Sequence, residues 1–143
     1  MIEIRLLGVG DSAVLDRVAP GVFDHTVLPQ STAEFFNDPR HHLVVALDDH
    51  VVVGFASGVH YVHPDKPAEL WINEVGVAPS YQRQGIGRRL LDALLDHGMR
   101  LGCVQAWVLT SPANVAARHL YAGAGGHEAP EPSMMFEFSL DSR

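Results

Sequence analysis

Cysteine is nearly absent. Cys103 is the single one in 143 residues, so the chain can hold no internal disulfide and no thiolate pair for a metal site. A lone thiol of this kind reads as a small packing residue just ahead of a strand. Long apolar runs are missing too: the most continuous, residues 43–47 and 51–56, fall far short of the roughly 20 needed to cross a bilayer. Met1 begins directly with strand-like sequence, so the protein is expected to be cytoplasmic and not membrane-bound. There is no internal repeat, low-complexity tract or linker, and one domain over residues 1–143 is expected. Cationic excess is also lacking. The formal net charge of −7 disfavours a nucleic-acid partner and favours cationic small molecules, since an acidic surface repels a phosphate backbone.

What is present is a change of period along the chain. Residues 2–7 alternate weakly and predict a first strand, with Asp11 and Ser12 as N-caps for a helix running towards Pro20. Ser31 and Glu34 have capping-box spacing, which predicts a short helix over 31–37. The β-branched run 43–47, the turn Asp48-Asp49-His50 and the apolar run 51–62 predict a hairpin. The segment 63–67, with two prolines, predicts a second turn before a strand over 69–77. After Pro79 the period becomes helical, with Ile86, Leu90, Leu91, Leu94, Leu95 and Met99 on one stripe and Gly102 as its C-terminal stop. A short strand over 104–109, a helix over 114–122 and a closing strand over 134–140 complete the pattern. The fold class is therefore α/β of the α+β kind, an antiparallel meander joined to one parallel β-α-β pair and flanked by helices.

The segment Gln82-Arg83-Gln84-Gly85-Ile86-Gly87-Arg88 stands where a strand gives way to a helix. A helix N-terminus presents unpaired N–H groups and about half a positive charge, which suits a phosphate, and glycine lets the anion approach the main chain. A dinucleotide fingerprint would need a third glycine where Leu90 stands, and no P-loop lysine follows. Nine histidines include the pairs His41-His42 and His60-x-x-His63, but the latter spacing on a strand puts the two rings on opposite faces, so no metal site is expected.

Gln82-x-x-Gly85-x-Gly87 resembles the acetyl-CoA loop of the GNAT N-acetyltransferases. Asn114-x-x-Ala117-x-x-Leu120-Tyr121, followed by Gly125, is similar to that family's second motif. Gly126 stands where the family usually has Phe, which is expected to loosen packing after the last helix. The resemblance implies a GNAT fold whose parallel strand pair splays to bind acetyl-CoA. It implies that backbone N–H groups of Arg83, Gln84, Gly85, Ile86, Gly87 and Arg88 hold the diphosphate, and that the coenzyme arm pairs with main chain over Val75, Gly76 and Val77. A Val75 N–H freed by a bulge would stabilise the oxyanion. Asn114 and Ala117 fall at positions that contact the coenzyme in the family. Glu74 would be the base that deprotonates the acceptor amine, with Glu69 in reserve, and Tyr121 the acid that protonates the leaving thiolate.

The stretch Glu69-Leu70-Trp71-Ile72-Asn73-Glu74-Val75-Gly76-Val77 is most similar to the aminoglycoside 3-N-acetyltransferases, as are segments 23–36, 51–61 and 136–138. That implies an aminoglycoside acceptor and an antibiotic-resistance activity. Asp24, Glu34, Asp65 and Glu137 are the carboxylates available to line the acceptor side. Two alternatives stay open: a GNAT enzyme for another amine, such as a polyamine or a peptide N-terminus, and a non-catalytic acyl-CoA-binding module. A homodimer is also open.

Overall fold

In the computed structural model, which describes residues 1–141, five strands form one sheet in the order β1-β2-β3-β4-β5. The strands are β1 (Glu3–Leu7), β2 (His41–Asp48), β3 (Val51–His63), β4 (Lys66–Val77) and β5 (Gln105–Val108); the helices are α1 (Pro29–Asn37), α2 (Ile86–Arg100) and α3 (Val115–Gly123). The first four strands pair antiparallel, and β4 pairs parallel with β5 through the α2 crossover. Mixed topology follows from loop length: two-residue turns can only reverse a strand, whereas a parallel return needs a long crossover.

The two faces of the sheet bury separate cores. Strand alternation sends Val44, Ala46, Ala56, Leu70 and Ile72 to one side, against Ile86, Leu90, Leu91 and Leu94 of α2, and the register shift that skips Val53 brings that residue to the same side. Leu90 and Leu94 are fully buried, so truncating either would cost about 2–5 kcal/mol. The opposite side collects Leu43, Val45, Leu47 and Phe55 with Phe36 of α1 and Val22. The β2–β3 turn takes left-handed backbone at Asp49 (φ 48°) and His50 (φ 65°), the geometry that matches strand twist in a tight hairpin. Helix α2 ends as its sequence predicts: Gly102 has φ 85°, Gly102 N–H donates to Met99 O and Cys103 N–H to Gly98 O, both at 3.0 Å.

Several expectations are corrected. The N-terminal helix shrinks to one 3-10 turn, Ser12–Asp16, because the Asp11 carboxylate accepts from Gly8 N–H at 2.8 Å instead of capping the turn. Helix α1 starts at Pro29 with Leu28 as its N-cap, so the Ser31/Glu34 capping box does not form; Pro at the first helical position fixes the start earlier. β4 begins at Lys66, which leaves a tighter turn than segment 63–67 predicts. No strand forms over 134–140, where Met134, Phe136 and Phe138 are 79%, 76% and 71% exposed. Alternation there reports a side-chain pattern, which does not by itself make a strand.

Three histidines from three elements form a chain on the α2 side. His42 Nε2 lies 2.7 Å from His60 Nδ1, and His97 Nε2 lies 3.0 Å from His42 Nδ1. The pairs His41-His42 and His60-x-x-His63 thus each contribute one ring, and no group of three or more His, Cys, Asp or Glu among the described residues is arranged to hold a metal ion. His42 is only 6% exposed and uses both ring nitrogens, one donating and one accepting, as a neutral imidazole must. Burial, then the neighbouring His97 and His60, lower its pKa from the usual 6.5 to about 4. The unfolded chain therefore binds the extra proton between those values. Stability is complete above pH 6.5 and falls as pH drops towards 4, by on the order of 3 kcal/mol. Urea midpoints from pH 7 to pH 4 should show this slope, and His42→Phe should flatten it. A wild-type midpoint that does not move over that range would refute the assignment.

Candidate active site

Pairing between β4 and β5 lasts only from Glu69↔Gln105 to Ile72↔Val108. Beyond Ile72, β4 stays paired to β3 alone, and a gap opens on its other side. One residue later the β3–β4 register skips: Ser57 pairs with Glu74 and Gly58 with Ile72, leaving Asn73 as the bulged residue. Ala78 N–H donates inward to Val53 O at 2.8 Å. By strand alternation the main-chain groups of Val77 and Val75 then point the other way, into the gap. The Val77 carbonyl is taken by Gln82 Nε2 at 3.0 Å, which ties the following loop to the strand. Gly76 has a different reason for its identity, since a Cβ there would stand 2.8 Å from the Phe55 ring and 2.9 Å from Val22 O.

The loop is built for an anion through its main chain. Arg83 (φ 63°) and Gly85 (φ 78°) both adopt left-handed backbone, and Gly85 is the N-cap of α2. No side chain caps this end, and the first intrahelical bond is Arg89 N–H to Gly85 O at 3.2 Å. The N–H groups of Ile86, Gly87 and Arg88 therefore lack intrahelical partners. Two of the loop's arginines are committed elsewhere: Arg88 pairs with Asp92 and donates to Gly123 O, and Arg89 donates to Ile2 O. Tyr81 anchors the preceding turn through Asp48. A Cβ on Gly87 would make ordinary contact with Leu120 at 3.6 Å and one on Gly85 would meet nothing within 4 Å, so at Gly85 it is the left-handed backbone that calls for glycine.

Because of the Asn73 bulge, Glu74 lies with Ser57 on the Phe55 face and not over α2. It is half-buried and makes no hydrogen bond among the described residues. Burial, and secondarily the Asp24 charge, raise its pKa above the ordinary carboxylate range. Both carboxylate-bearing segments line a cavity of about 390 Å³ with Phe23, Phe35, Phe36 and Ser57. A larger cavity, about 860 Å³, adjoins it between the 3-10 turn at Ser12–Asp16 and α1. Tyr121, like Val75, Val77 and Val108, packs against the α2-side core, the face of the sheet opposite Glu74. Burial raises its pKa, which keeps the hydroxyl protonated, and that hydroxyl has no partner among the described residues.

Residues 14–125 match the acetyltransferase (GNAT) family. The chain belongs to that family. It is 41% identical over 87 residues to an N-alpha-acetyltransferase, RimI, of Mycobacterium tuberculosis, covering 61% of this chain and 52% of that protein. An L-2,4-diaminobutyric acid acetyltransferase of Virgibacillus pantothenticus is 35% identical over 81 residues, covering 56% and 49%. The chain thus spans about half the length of the curated relatives it matches. An aminoglycoside acetyltransferase from an uncultured soil metagenomic sample, solved with trehalose, superposes with a TM-score of 0.80 at 20% identity over 97% of this chain and 96% of that one. At that identity the likeness establishes the GNAT fold.

Of the GNAT motif positions, Val75 and Val77 lie on the β4 edge beyond its pairing with β5, Gln82 of the following loop bonds to the Val77 carbonyl, and Tyr121 packs on the α2-side core. Asn114 serves the fold first, its Oδ1 accepting from Ala117 N–H at 3.1 Å as the N-cap of α3. Gly126 does not loosen the end of α3. Gly125 has φ 97°, Gly126 N–H donates to Tyr121 O at 2.9 Å, and a Cβ at 126 would stand 2.9 Å from that same oxygen. Of the four acidic residues considered for the acceptor side, only Asp24 is beside Glu74. Asp65 is paired with Lys66 and His63 in the β3–β4 turn, while Glu34 and Glu137 are exposed away from the cavity. The resemblance implied a bulge beside Val75 without fixing its position; the register shift falls at Asn73, a placement that side-chain pattern does not signal. No helix among the described residues is long and apolar enough to cross a membrane.

Two variants test this geometry. Gly85→Ala should lower stability by about 1–2 kcal/mol, because an L-residue at φ 78° is strained even where space is open; chemical denaturation measures it, and an unchanged midpoint would show that the loop relaxes. Tyr121→Phe should keep the fold and coenzyme affinity yet lower kcat by about 10²-fold. Full turnover in that variant would leave Tyr121 as a packing residue.

Proposed function

We propose that the chain is an acetyl-CoA-dependent N-acetyltransferase whose acceptor is a cationic small-molecule amine of the aminoglycoside kind. The observation that carries this reading is Glu74: a half-buried carboxylate with a raised pKa, no hydrogen bond among the described residues, and Asp24 beside it, at the edge of an opened sheet. Two carboxylates facing one cavity attract an ammonium and give it a proton acceptor.

The residues fit the coenzyme. The uncapped N-terminus of α2 suits a diphosphate, and the free edge of β4 suits an amide-bearing arm. When bound, the coenzyme supplies the acetyl group as a thioester. The N–H groups of residues 83–88 would hold its diphosphate, with Val75 and Val77 offering main-chain pairing along the gap. Glu74 removes the proton that an alkyl amine carries at neutral pH, directly or through a water, since only the neutral amine is nucleophilic. Tyr121 returns a proton to the departing sulfur. Asn114, through its amide nitrogen, and Ala117 would contact the coenzyme from α3, as their motif positions imply. A purely binding module would have no use for a carboxylate poised to accept a proton and a phenol poised to donate one.

A second reading, acetylation of a peptide N-terminus, is favoured by the 41% identity to an N-alpha-acetyltransferase. An acceptor panel with thiol-release detection separates the two: sisomicin and gentamicin for the first reading, short peptides with free N-termini for the second. Glu74→Gln should leave acetyl-CoA affinity intact and cut kcat with sisomicin by about 10²-fold, with activity recovering as pH rises and more acceptor arrives neutral. In the wild type, activity should fall as pH drops through the raised pKa of Glu74, because the protonated carboxyl cannot accept. A variant that raises only KM, with no recovery at high pH, would make Glu74 an electrostatic anchor. No acetylation of any aminoglycoside at millimolar concentration would overturn the acceptor assignment.

A further inference from the structure

The same bulge that re-aims Glu74 also determines what stands next to it. Leu70 and Ile72 belong to the α2 core, so Trp71 between them faces the opposite side, and the skip at Asn73 brings Glu74 onto that side too. Trp71 stands opposite Val59 and Glu74 opposite Ser57, so about 7 Å of strand separates the two, at about 3.3 Å per residue of β3. Across the parallel pairing Trp71 meets Trp107, and the indoles stack with centroids 5.4 Å apart and planes 11° from parallel. Two residue pairs further along, Tyr61 on β3 faces Glu69 on β4. The Tyr61 hydroxyl donates to Glu69 Oε1 at 2.8 Å and accepts from Trp107 Nε1 at 3.1 Å.

This platform costs exposure without a structural return. Trp71 is 38% exposed, although burying its indole would be among the largest apolar gains on the sheet. Its orientation is nonetheless fixed, through a chain running from Trp107 through Tyr61 to Glu69. That chain uses only one carboxylate oxygen and leaves Glu69 Oε2 without a hydrogen bond from the described residues. The cation nearest Tyr61 on β4, Lys66, is spent on Asp65. The surface is therefore aromatic, acidic and flat, continuous along β4 with the Glu74 cavity.

We propose that Trp71, Trp107, Tyr61 and Glu69 form a second acceptor subsite that takes an aminated sugar ring while Glu74 engages the reacting amine. The proposal rests on the N-acetyltransferase reading and specifies its acceptor: a molecule with at least two rings and a second ammonium about 13 Å from the first, the span of the four β3 positions between Ser57 opposite Glu74 and Tyr61 opposite Glu69. The indole face receives the ring's C–H surface and its cation, and Glu69 receives the ammonium. Charge complementarity selects this occupant over an acidic or neutral one.

Trp71 and Trp107 are the only tryptophans in the chain, so its indole emission reports on this platform alone. Titrating the protein with sisomicin, without acetyl-CoA, should change that emission saturably, and Glu69→Gln should weaken the apparent affinity about ten-fold or more. An emission unaffected by sisomicin at millimolar concentration would overturn the subsite. Steady-state kinetics give the second arm: Trp71→Ala should raise KM for sisomicin about ten-fold, yet leave kcat and KM for the single-ring diamine 2-deoxystreptamine unchanged. Equal KM changes for both acceptors would overturn it, as would a change for neither. Failure of the underlying reading looks different, because wild-type protein would then release no thiol with any amine while the emission titration still reports on the platform. A saturable response to a tryptic peptide but not to sisomicin would assign the face to peptides and overturn the sugar-ring proposal.

Discussion

The parting of β4 from β5 after Ile72↔Val108 is the constraint on which the site depends. A parallel pair that continued to Val77 would satisfy the main-chain groups of Val75 and Val77 within the sheet and leave no edge for a ligand. Gln82 occupies the Val77 carbonyl, and Val75, Val77 and Val108 pack their side chains on the α2-side core, as Tyr121 does. Burying such a gap unfilled would strand polar backbone; leaving it open to solvent at the C-terminal end of β4 avoids that cost and presents a recognition surface.

The Asn73 bulge adds a second consequence. Strand alternation alone would put Glu74 on the face of Leu70 and Ile72, under α2, where an ionised carboxylate would be costly to bury. One extra residue moves it to the Phe55 face beside Asp24, where half-burial raises its pKa without removing it from solvent. The same shift puts Trp71 and Glu74 on one surface. A single local irregularity thereby connects a proton acceptor, an opened strand edge and an aromatic platform.

Two glycine-rich segments show how one residue type serves different needs. Gly85 supplies the left-handed residue from which α2 starts uncapped, while a Cβ on Gly87 would make only ordinary contact with Leu120. Gly76 admits Val22 and Phe55, and Gly125 with Gly126 turns the chain at the end of α3. Glycine thus serves a helix start, a close contact on the sheet face and a helix end within one small fold.

By itself the sequence determined the order of elements, the α+β class, the crossover through α2 and the membership of the two motifs, because side-chain period and turn chemistry are local properties of a chain. It also named Tyr121, through its place in the second motif, and Glu74, through its apolar strand context and the resemblance of segment 69–77. It misjudged features that depend on a competing partner. Asp11 bonds to Gly8 in preference to a helix, Pro29 pre-empts the Ser31 capping box, and segment 134–140 alternates without forming a strand. Tertiary structure alone decided that Asp24, and not Glu34, Asp65 or Glu137, stands beside Glu74, that His42 links His60 to His97, and that Trp71 stacks on Trp107. Each of these joins residues far apart in the chain, and the register that joins them is set by pairing and by one skipped residue, neither of which leaves a trace in side-chain periodicity.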